Sequence, residues 1–302
     1  MAFLLAHISD IHLGPLPDVR FVDLMSKRIT GYINWKRNRA SHMISSTLGE
    51  LVDAMQAQKP DHIAVTGDLT NLALDEEIAG AALWLKSLGP AENVSTIPGN
   101  HDAYVRGSLA KSVAAWSANM AGDRDGIVRT RSGFPYIRRR GNVALIGVNS
   151  AVATAPFMAS GIFGSRHARG LRQALEKTGK EGLFRVILIH HPPVRRAATP
   201  QKRLYGIGLF QKVVREYGAE LVLHGHTHLP QRHAIGGIDG AEVPVIGVPA
   251  AGQSPGGKKP AAAFNLFRIG GAAGQWTCDL EEHSLTGMTG ETAITDRRKL
   301  SG

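Results

Sequence analysis

Five short motifs follow one another along this chain, and each ends or directly follows an apolar run. They are Asp10-Ile11-His12, Gly67-Asp68, Gly99-Asn100-His101-Asp102, His190-His191 and Gly225-His226-Thr227-His228. A short apolar run bounded by turn residues reads as a buried β-strand. In open α/β sheets, ligands bind beyond the carboxyl ends of the strands. The chain must therefore fold so that several strand ends meet. As candidate ligands the motifs supply two aspartates, one asparagine and four or five histidines. That is a full set for two metal ions, and a dinuclear site is the simplest reason for so many imidazoles and carboxylates at strand ends.

Strand-like runs occupy residues 3–8, 62–66, 94–97, 143–148, 184–189 and 220–223. Helical patterns lie between them at 41–58, 75–88, 108–120, 165–178 and 209–217. Asp75, Glu76 and Glu77 fall in the first turn of their helix, where the dipole favours acidic groups. Alternation of strand and helix predicts β-α-β units with parallel strand pairs. From about Gln231 the texture changes, with strand candidates at 243–248, 261–269 and 275–281 and Gly and Pro between them. These predict a second, more antiparallel sheet. The expected fold is α/β, a four-layer α/β/β/α sandwich of two mixed sheets flanked by helices. Residues 1–283 are expected to form the domain, and 284–302 a polar, poorly ordered tail.

Glycines precede Asp68, Asn100 and His226, as suits sharp turns where backbone nears a ligand. In Asp10-x-His12 and His226-x-His228, i, i+2 spacing on an extended backbone directs both side chains to one side.

Composition limits the setting. The chain has 302 residues, 43% of them apolar, enough for one well-buried α/β core. Cys278 is the single thiol, so no internal disulfide can form. No stretch approaches the ~18 apolar residues that span a bilayer, and the N-terminus lacks a basic n-region. A cytoplasmic location is expected. The formal charge of +10 favours an anionic substrate or surface without choosing among nucleotide, nucleic acid and lipid.

The motif set resembles that of the calcineurin-like metallophosphoesterase superfamily over roughly the first three-quarters of the chain. The resemblance implies two divalent transition-metal ions, drawn from Mn, Fe, Zn, Co or Ni. Carried over motif by motif, Asp10, His12 and His228 would hold one metal, and Asn100, His190 and His226 the other, with Asp68 bridging. His101 would face the substrate as general acid or as stabiliser of the transferring phosphoryl oxygen. His190 directly ends its strand and is taken as the ligand, with His191 behind it. The implied mechanism is in-line attack on phosphorus by a metal-bridging hydroxide.

Two divalent ions set against two aspartates and a hydroxide leave one net positive charge. That balances a phosphodiester monoanion and under-compensates a monoester dianion. Protein Ser/Thr phosphatases of this superfamily carry Asp-Arg-Gly after the Gly-Asp motif and Glu after Gly-Asn-His. Here the text is Gly67-Asp68-Leu69-Thr70-Asn71 and Gly99-Asn100-His101-Asp102, similar instead to bacterial class III cyclic-nucleotide phosphodiesterases and glycerophosphodiesterases. The expected activity is hydrolysis of a cyclic nucleotide or another small, anionic diester. The alternative is a lipid-linked phosphate hydrolase working at the membrane surface, such as a UDP-diacylglucosamine pyrophosphohydrolase or a phospholipid diesterase. Lipid-A hydrolases of this superfamily typically carry Arg where this chain has His101, which counts against that alternative. Nucleic acid is disfavoured because no long aromatic-and-basic tract suggests a strand-binding groove. A non-enzymatic role is opposed by the intact ligand set.

Two basic segments need separate reading. From Phe21 to Arg39, Val22, Met25, Ile29, Tyr32 and Ile33 recur at helical spacing with Lys27, Arg28, Lys36, Arg37 and Arg39 among them. One reading is a packed helix with a solvated basic face. The other is a cap beside the active site, or a membrane-surface helix making peripheral contact. In the loop at 192–208, Arg195 and Arg196 are the candidate substrate-binding residues, able to steer an anion. His7, His42, His62, His167, His224, His233 and His283 are read as structural, and the basic run from Arg138 to Arg140 as surface.

Overall fold

The computed structural model describes residues 2–19, 21–24, 26–38, 45–123, 133–287 and 291–301. Met25 and Arg39 of the basic segment, the expected helix start at 41–44, and Arg129 and Arg131 lie outside the described residues.

β1 (Phe3–Ile8), β2 (His62–Val65) and β3 (Val94–Thr96) run parallel, with Leu5 opposite His62 and Ile63 opposite Val94. They are linked by α3 (Ser45–Ala57) and α4 (Asp75–Ser87). In the second sheet, β5 (Val143–Gly147), β7 (Phe184–Leu188) and β9 (Leu221–His224) are likewise parallel. Their crossovers contain α7 (Ser165–Lys180) and α8 (Ile207–Tyr217). β4 (Tyr136–Arg140) pairs antiparallel with β5 at one edge. Two short strands, β6 (Gly161–Ile162) and β8 (Leu204–Tyr205), pair with each other apart from both sheets.

Strands buried on both faces explain the continuous apolar runs. Val143, Leu145, Phe184, Val186 and Leu188 belong to the core shared with the first sheet. The alternate residues Ala144, Ile146 and Ile187 pack instead with Leu171 and Leu175 of α7 and Phe210 and Val214 of α8. On the far side, Leu51 and Met55 of α3 and Ile78 and Leu85 of α4 cover the first sheet. The result is two six-stranded mixed sheets flanked by helices, the expected four-layer α/β/β/α sandwich.

The C-terminal strands are distributed otherwise than expected. β10 (Arg232–Gly236) and β11 (Glu242–Gly247) extend the second sheet, β11 lying parallel to β9. β12 (Ala263–Ala272), β13 (Gln275–Leu285) and β14 (Thr292–Ser301) complete the first sheet as an antiparallel meander beside β1. They do not form a sheet of their own.

The expectation of a poorly ordered tail fails at residues 292–301. β14 is polar, so hydropathy did not reveal it. Its ladder to β13 and its ion pairs hold it instead. Arg232 lies 2.5 Å from Glu282 and 3.1 Å from Asp296, and Thr295 Oγ1 donates to Glu282 Oε1 at 2.9 Å. A charged strand also suits an exposed sheet edge, where it discourages further pairing.

The helix expected over 108–120 is two pieces, α5 (Ser108–Ala115) and α6 (Ser117–Met120). Trp116 interrupts them, its buried indole N–H donating to the Ile78 carbonyl at 3.0 Å.

His62 makes a pH-dependent contribution to stability. Its Nε2 pairs with Ser95 Oγ at 2.8 Å, and burial, then Arg140 and Arg138, lowers its pKa from 6.5 to about 3. Between those values the unfolded chain binds the proton and the folded chain does not, so unfolding free energy rises with pH. The contribution is intact above the unfolded value and is lost as pH falls towards about 3. Denaturant unfolding of metal-free protein is expected to weaken across this window, and His62→Gln to flatten the slope. An unchanged slope would remove His62 as its source.

Candidate metal centre

All five motifs lie in loops beyond β1, β2, β3, β7 and β9, at one edge of the two sheets. The loops brace each other through backbone: Asp10 N donates to the Gly67 carbonyl at 3.0 Å and His12 N to the Asp68 carbonyl at 2.9 Å. The backbone at the motifs is not extended. Asp10, His12, Asp68, His226 and His228 all have positive φ, between 46° and 71°. Such conformations cost roughly 1–2 kcal/mol per non-glycine residue and collect at functional sites. Extended i, i+2 spacing therefore does not describe these motifs. Asp10 and His12 do converge, but through left-handed turns, whereas His226 and His228 join different groups of side chains.

Two glycines admit this geometry. A Cβ on Gly225 would lie 2.6 Å from Asp10 Oδ2. Gly67 has φ of 97°, and its Cβ would lie 2.9 Å from His190 Nδ1.

The imidazoles are oriented by carbonyls. His12 Nδ1 donates to Thr70 O at 3.1 Å, His190 Nδ1 to Thr66 O at 2.6 Å, His101 Nδ1 to Asn71 O at 2.6 Å, and His226 Nε2 to Lys202 O at 2.8 Å. Such contacts set which ring nitrogen faces inward. His12 Nε2 then lies 3.4 Å from His228 Nε2 and 3.8 Å from Asp68 Oδ2, and His228 Nε2 lies 3.2 Å from Asp10 Oδ1. His190 Nε2 lies 3.4 Å from Asp68 Oδ2 and 3.2 Å from Asn100 Oδ1. The groups Asp10–His12–His228, Asp10–Asp68–His190, His12–Asp68–His101 and His190–His191–His226 each bring ligand atoms within 4.8 Å of one another.

The charges match this crowding. Burial opposes ionisation of Asp10 and Asp68, yet the adjacent imidazoles, His228 for Asp10 and His190 for Asp68, hold both carboxyls well below the usual range. Burial alone would lower His190, but Asp68 and Asp10 raise it to about 9. Burial, with His191 and His190 nearby, holds His226 well below 6.5 and neutral.

A family model described as calcineurin-like phosphoesterase matches residues 3–230. The chain belongs to the calcineurin-like phosphoesterase family. Two solved structures resemble it in fold. One is a dimetal phosphatase from Danio rerio, 14% identical with a TM-score of 0.63, covering 99% of this chain and 98% of that one. The other is purple acid phosphatase PPD1 from yellow lupin (Lupinus luteus) seeds, 12% identical with a TM-score of 0.60. It matches 99% of this chain and 53% of its own length. At such identities the likeness is one of fold. A search of curated proteins returned no match. Family membership makes the chain a hydrolytic phosphoesterase.

This phosphoesterase's side chains fit divalent metal. Asp10 Oδ1 is buried without a hydrogen bond, and the oxygens of Asp68 and Asn100 converge on His190 Nε2. Converging acceptors call for a cation between them. The N/O donor set without thiolate suits borderline transition metals. His191, though close, has both nitrogens engaged: Nε2 donates to Ala159 O at 3.2 Å and Nδ1 accepts from Ser150 Oγ at 2.8 Å. Burial, then His190, lowers its pKa to about 3.

Two supporting carboxylates escaped the sequence reading. Asp102 accepts from the N–H groups of Gly99, Asp68, Leu69 and Thr70 and from the Thr70 hydroxyl, at 2.8 to 3.0 Å. It thereby welds the Gly67-Asp68 turn to the Gly99-Asn100 turn. Its place in the fourth position of the Gly99-Asn100-His101-Asp102 motif was the available signal. Glu77 lies in the acidic first turn of α4 and accepts from Asn71, Leu72 and Leu74 N–H at 2.7 to 3.0 Å. It fixes the loop whose Asn71 carbonyl aims His101.

A cleft of about 980 Å³ opens over the centre. The basic segment from Phe21 forms α1 (Phe21–Leu24) and α2 (Arg28–Asn38), and Thr30, Gly31 and Ile33 of α2 line one wall. This is the cap arrangement. Lys27 pins it by donating to Thr154 Oγ1 at 2.7 Å and Met158 O at 2.8 Å. The loop at 192–208 contributes Lys202 to the lining, whereas Arg195 and Arg196 lie exposed and outside it. Gln211 and Gln231 hold the Pro193 and Ala197 carbonyls, drawing the first half of the loop away before the chain returns at Lys202. Arg138 is also not a surface residue: it is buried and donates to the carbonyls of Ala121, Ala91 and Val94.

Proposed function

We propose that this phosphoesterase hydrolyses a small phosphodiester at a dinuclear centre. Asp10, His12 and His228 would hold one divalent ion and Asn100, His190 and His226 the other, with the Asp68 carboxylate between them. The observation that carries this reading is the reach of Asp68 Oδ2 to both groups, 3.8 Å from His12 Nε2 and 3.4 Å from His190 Nε2. When bound, the ions would polarise the attacking water and neutralise charge on the phosphoryl oxygens. Mn, Fe, Zn, Co or Ni would each suit the donors.

His101 would present Nε2 to the departing oxygen and give it a proton. Its Nδ1–H is held by Asn71, and its backbone N–H donates to Asp68 Oδ1 at 2.7 Å. Asp10 and Asp68 as the two carboxylates of the ligand set leave a charge suited to a monoanionic diester. Among single-phosphate diesters, cyclic nucleotides lead on the strength of the Gly67-Asp68-Leu69-Thr70 and Gly99-Asn100-His101-Asp102 motifs.

A second reading, a lipid-linked phosphate ester taken from a membrane surface, draws on exposed apolar side chains at the cleft. Phe157 is 84% exposed and Ile33 45%, and both line it. Among the described residues, no helix is long and apolar enough to cross a membrane.

The test is hydrolysis of bis(p-nitrophenyl) phosphate beside p-nitrophenyl phosphate, using apo-protein reloaded with Mn²⁺. Strong preference for the diester is expected. Preference for the monoester would overturn the diesterase reading. Inactivity on both, with association to anionic vesicles, would favour the lipid reading.

A further inference from the structure

Tyr104 belongs to the buried core, 8% exposed, and also lines the cleft. Its ring stacks on that of His101, with centroids 5.4 Å apart and planes inclined by 28°. His12 meets the same imidazole nearly at right angles, at 4.7 Å and 87°. The bond between His101 Nδ1 and Asn71 O, 2.6 Å, holds one corner of the ring. A single corner leaves the ring able to tip, because the χ2 torsion of histidine has a broad well. A flat neighbour against its face removes that freedom and fixes where Nε2 points.

The cap reaches both supports of His101. Arg28, which begins α2, donates through Nε to Leu72 O at 3.0 Å and through Nη2 to Ala73 O at 2.6 Å. Those bonds brace the chain that directly follows Asn71. Lys27 Nζ, bound to Thr154 and Met158, also stands 4.8 Å from the centroid of the Tyr104 ring.

Gly31 admits the third contact. Glycine inside a helix is less favourable than alanine. At this position, however, a Cβ would run into Tyr104 Oη and lie 2.7 Å from Tyr104 Cζ and 2.6 Å from Leu72 Cδ2. The bare backbone lets α2 press directly on the ring that stacks on His101. Helix stability gives no reason for glycine here, and the packing on Tyr104 does.

We propose that Tyr104 is a positioning residue for His101, and that the cap acts on the reaction through this ring. The proposal rests on the reading of His101 as the proton donor to the departing oxygen and deepens it. Tyr104 transfers no proton. It keeps His101 Nε2 aimed at the oxygen that needs one, so its loss is felt in turnover on substrates whose leaving group must be protonated.

The experiment compares bis(p-nitrophenyl) phosphate with diphenyl phosphate, whose phenolate is the poorer leaving group, using the Zn²⁺-loaded enzyme. Tyr104→Leu is expected to lower kcat on diphenyl phosphate roughly ten-fold, the scale of one lost aromatic pair, and to lower it less on the nitrophenyl ester. Tyr104→Phe, which keeps the ring, is expected to recover most of that loss. Gly31→Ala favours the helix yet pushes on Tyr104, so it is expected to show the same selective loss. In a His101→Ala background, Tyr104→Leu is expected to add little. Proton NMR of the Zn²⁺-loaded protein gives a readout apart from activity: the His101 Hε1 signal, assigned through His101→Ala, is expected to move in Tyr104→Leu and Gly31→Ala. Equal losses on both esters, a change in KM alone, full additivity with His101→Ala, or an unmoved Hε1 signal overturns the proposal. Equal losses in His101→Ala itself would overturn the reading of His101 as the acid instead, and inactivity on every diester would overturn the diesterase reading. In both cases the Hε1 signal still decides whether Tyr104 and α2 set the His101 ring.

Discussion

Asp68→Asn is expected to abolish hydrolysis and to strip the protein of bound metal while leaving its fold intact. The carboxylate is buried between His12 and His190 and is within reach of both proposed ion positions. An amide keeps the shape and one acceptor, so the bond from His101 N to Oδ1 can survive. The negative charge does not. Without it the pKa of His190, which Asp68 and Asp10 raise to about 9 against the effect of burial, moves down.

Three measurements check this. Elemental analysis should find less than one equivalent of metal. Turnover should be lost on every diester. The thermal stabilisation of the wild type by Mn²⁺, about 2.7 kcal/mol at a hundred times Kd, should vanish. The metal-free variant should melt below the metal-free wild type, since His190 loses the partner of a buried pair. A variant that keeps two metal equivalents and wild-type turnover would refute the bridging role.

His101→Ala is expected to leave metal content near normal while turnover falls roughly 10²–10⁴-fold, the range for loss of an acid–base group. The residue is held at three points: Nδ1 on the Asn71 carbonyl, the backbone N–H on Asp68, and the ring stacked on Tyr104 at 5.4 Å and 28°. It is only half-buried, so its removal opens little cavity. Leaving groups provide the decisive comparison. p-Nitrophenolate departs without a proton, and an alkoxide does not. The loss should therefore be larger on an alkyl diester than on bis(p-nitrophenyl) phosphate if His101 is the acid. Equal losses on both would make it a stabiliser of the phosphoryl oxygens, and loss of metal in step with activity would make it a ligand.

The candidate ligands were legible because metal chemistry restricts them to few residue types, and strand ends announce themselves as polar breaks after apolar runs. Asp10, His12, Asp68, Asn100, His190, His226 and His228 all come to one edge of the two sheets. How they get there was not legible. The left-handed backbone at Asp10, His12, His226 and His228 arises from contacts between loops that are far apart in the chain. Asp102 and Glu77 act through backbone N–H groups, which every residue carries, so their partners leave no mark in the text. Arg195 and Arg196 drew notice as a charged pair, yet the lysines that line the cleft come from three separate segments.

From its sequence alone this chain determined its strand–helix alternation, its layered class and its candidate metal ligands, because periodicity and donor chemistry are local properties. Tertiary structure decided which sheet each C-terminal strand joins, that the polar β14 is a strand, and which walls surround the substrate. Those outcomes depend on backbone ladders and ion pairs between residues far apart in sequence, such as Arg232 with Glu282 and Asp296. Such pairings are made in space, and a residue's neighbours along the chain do not encode them.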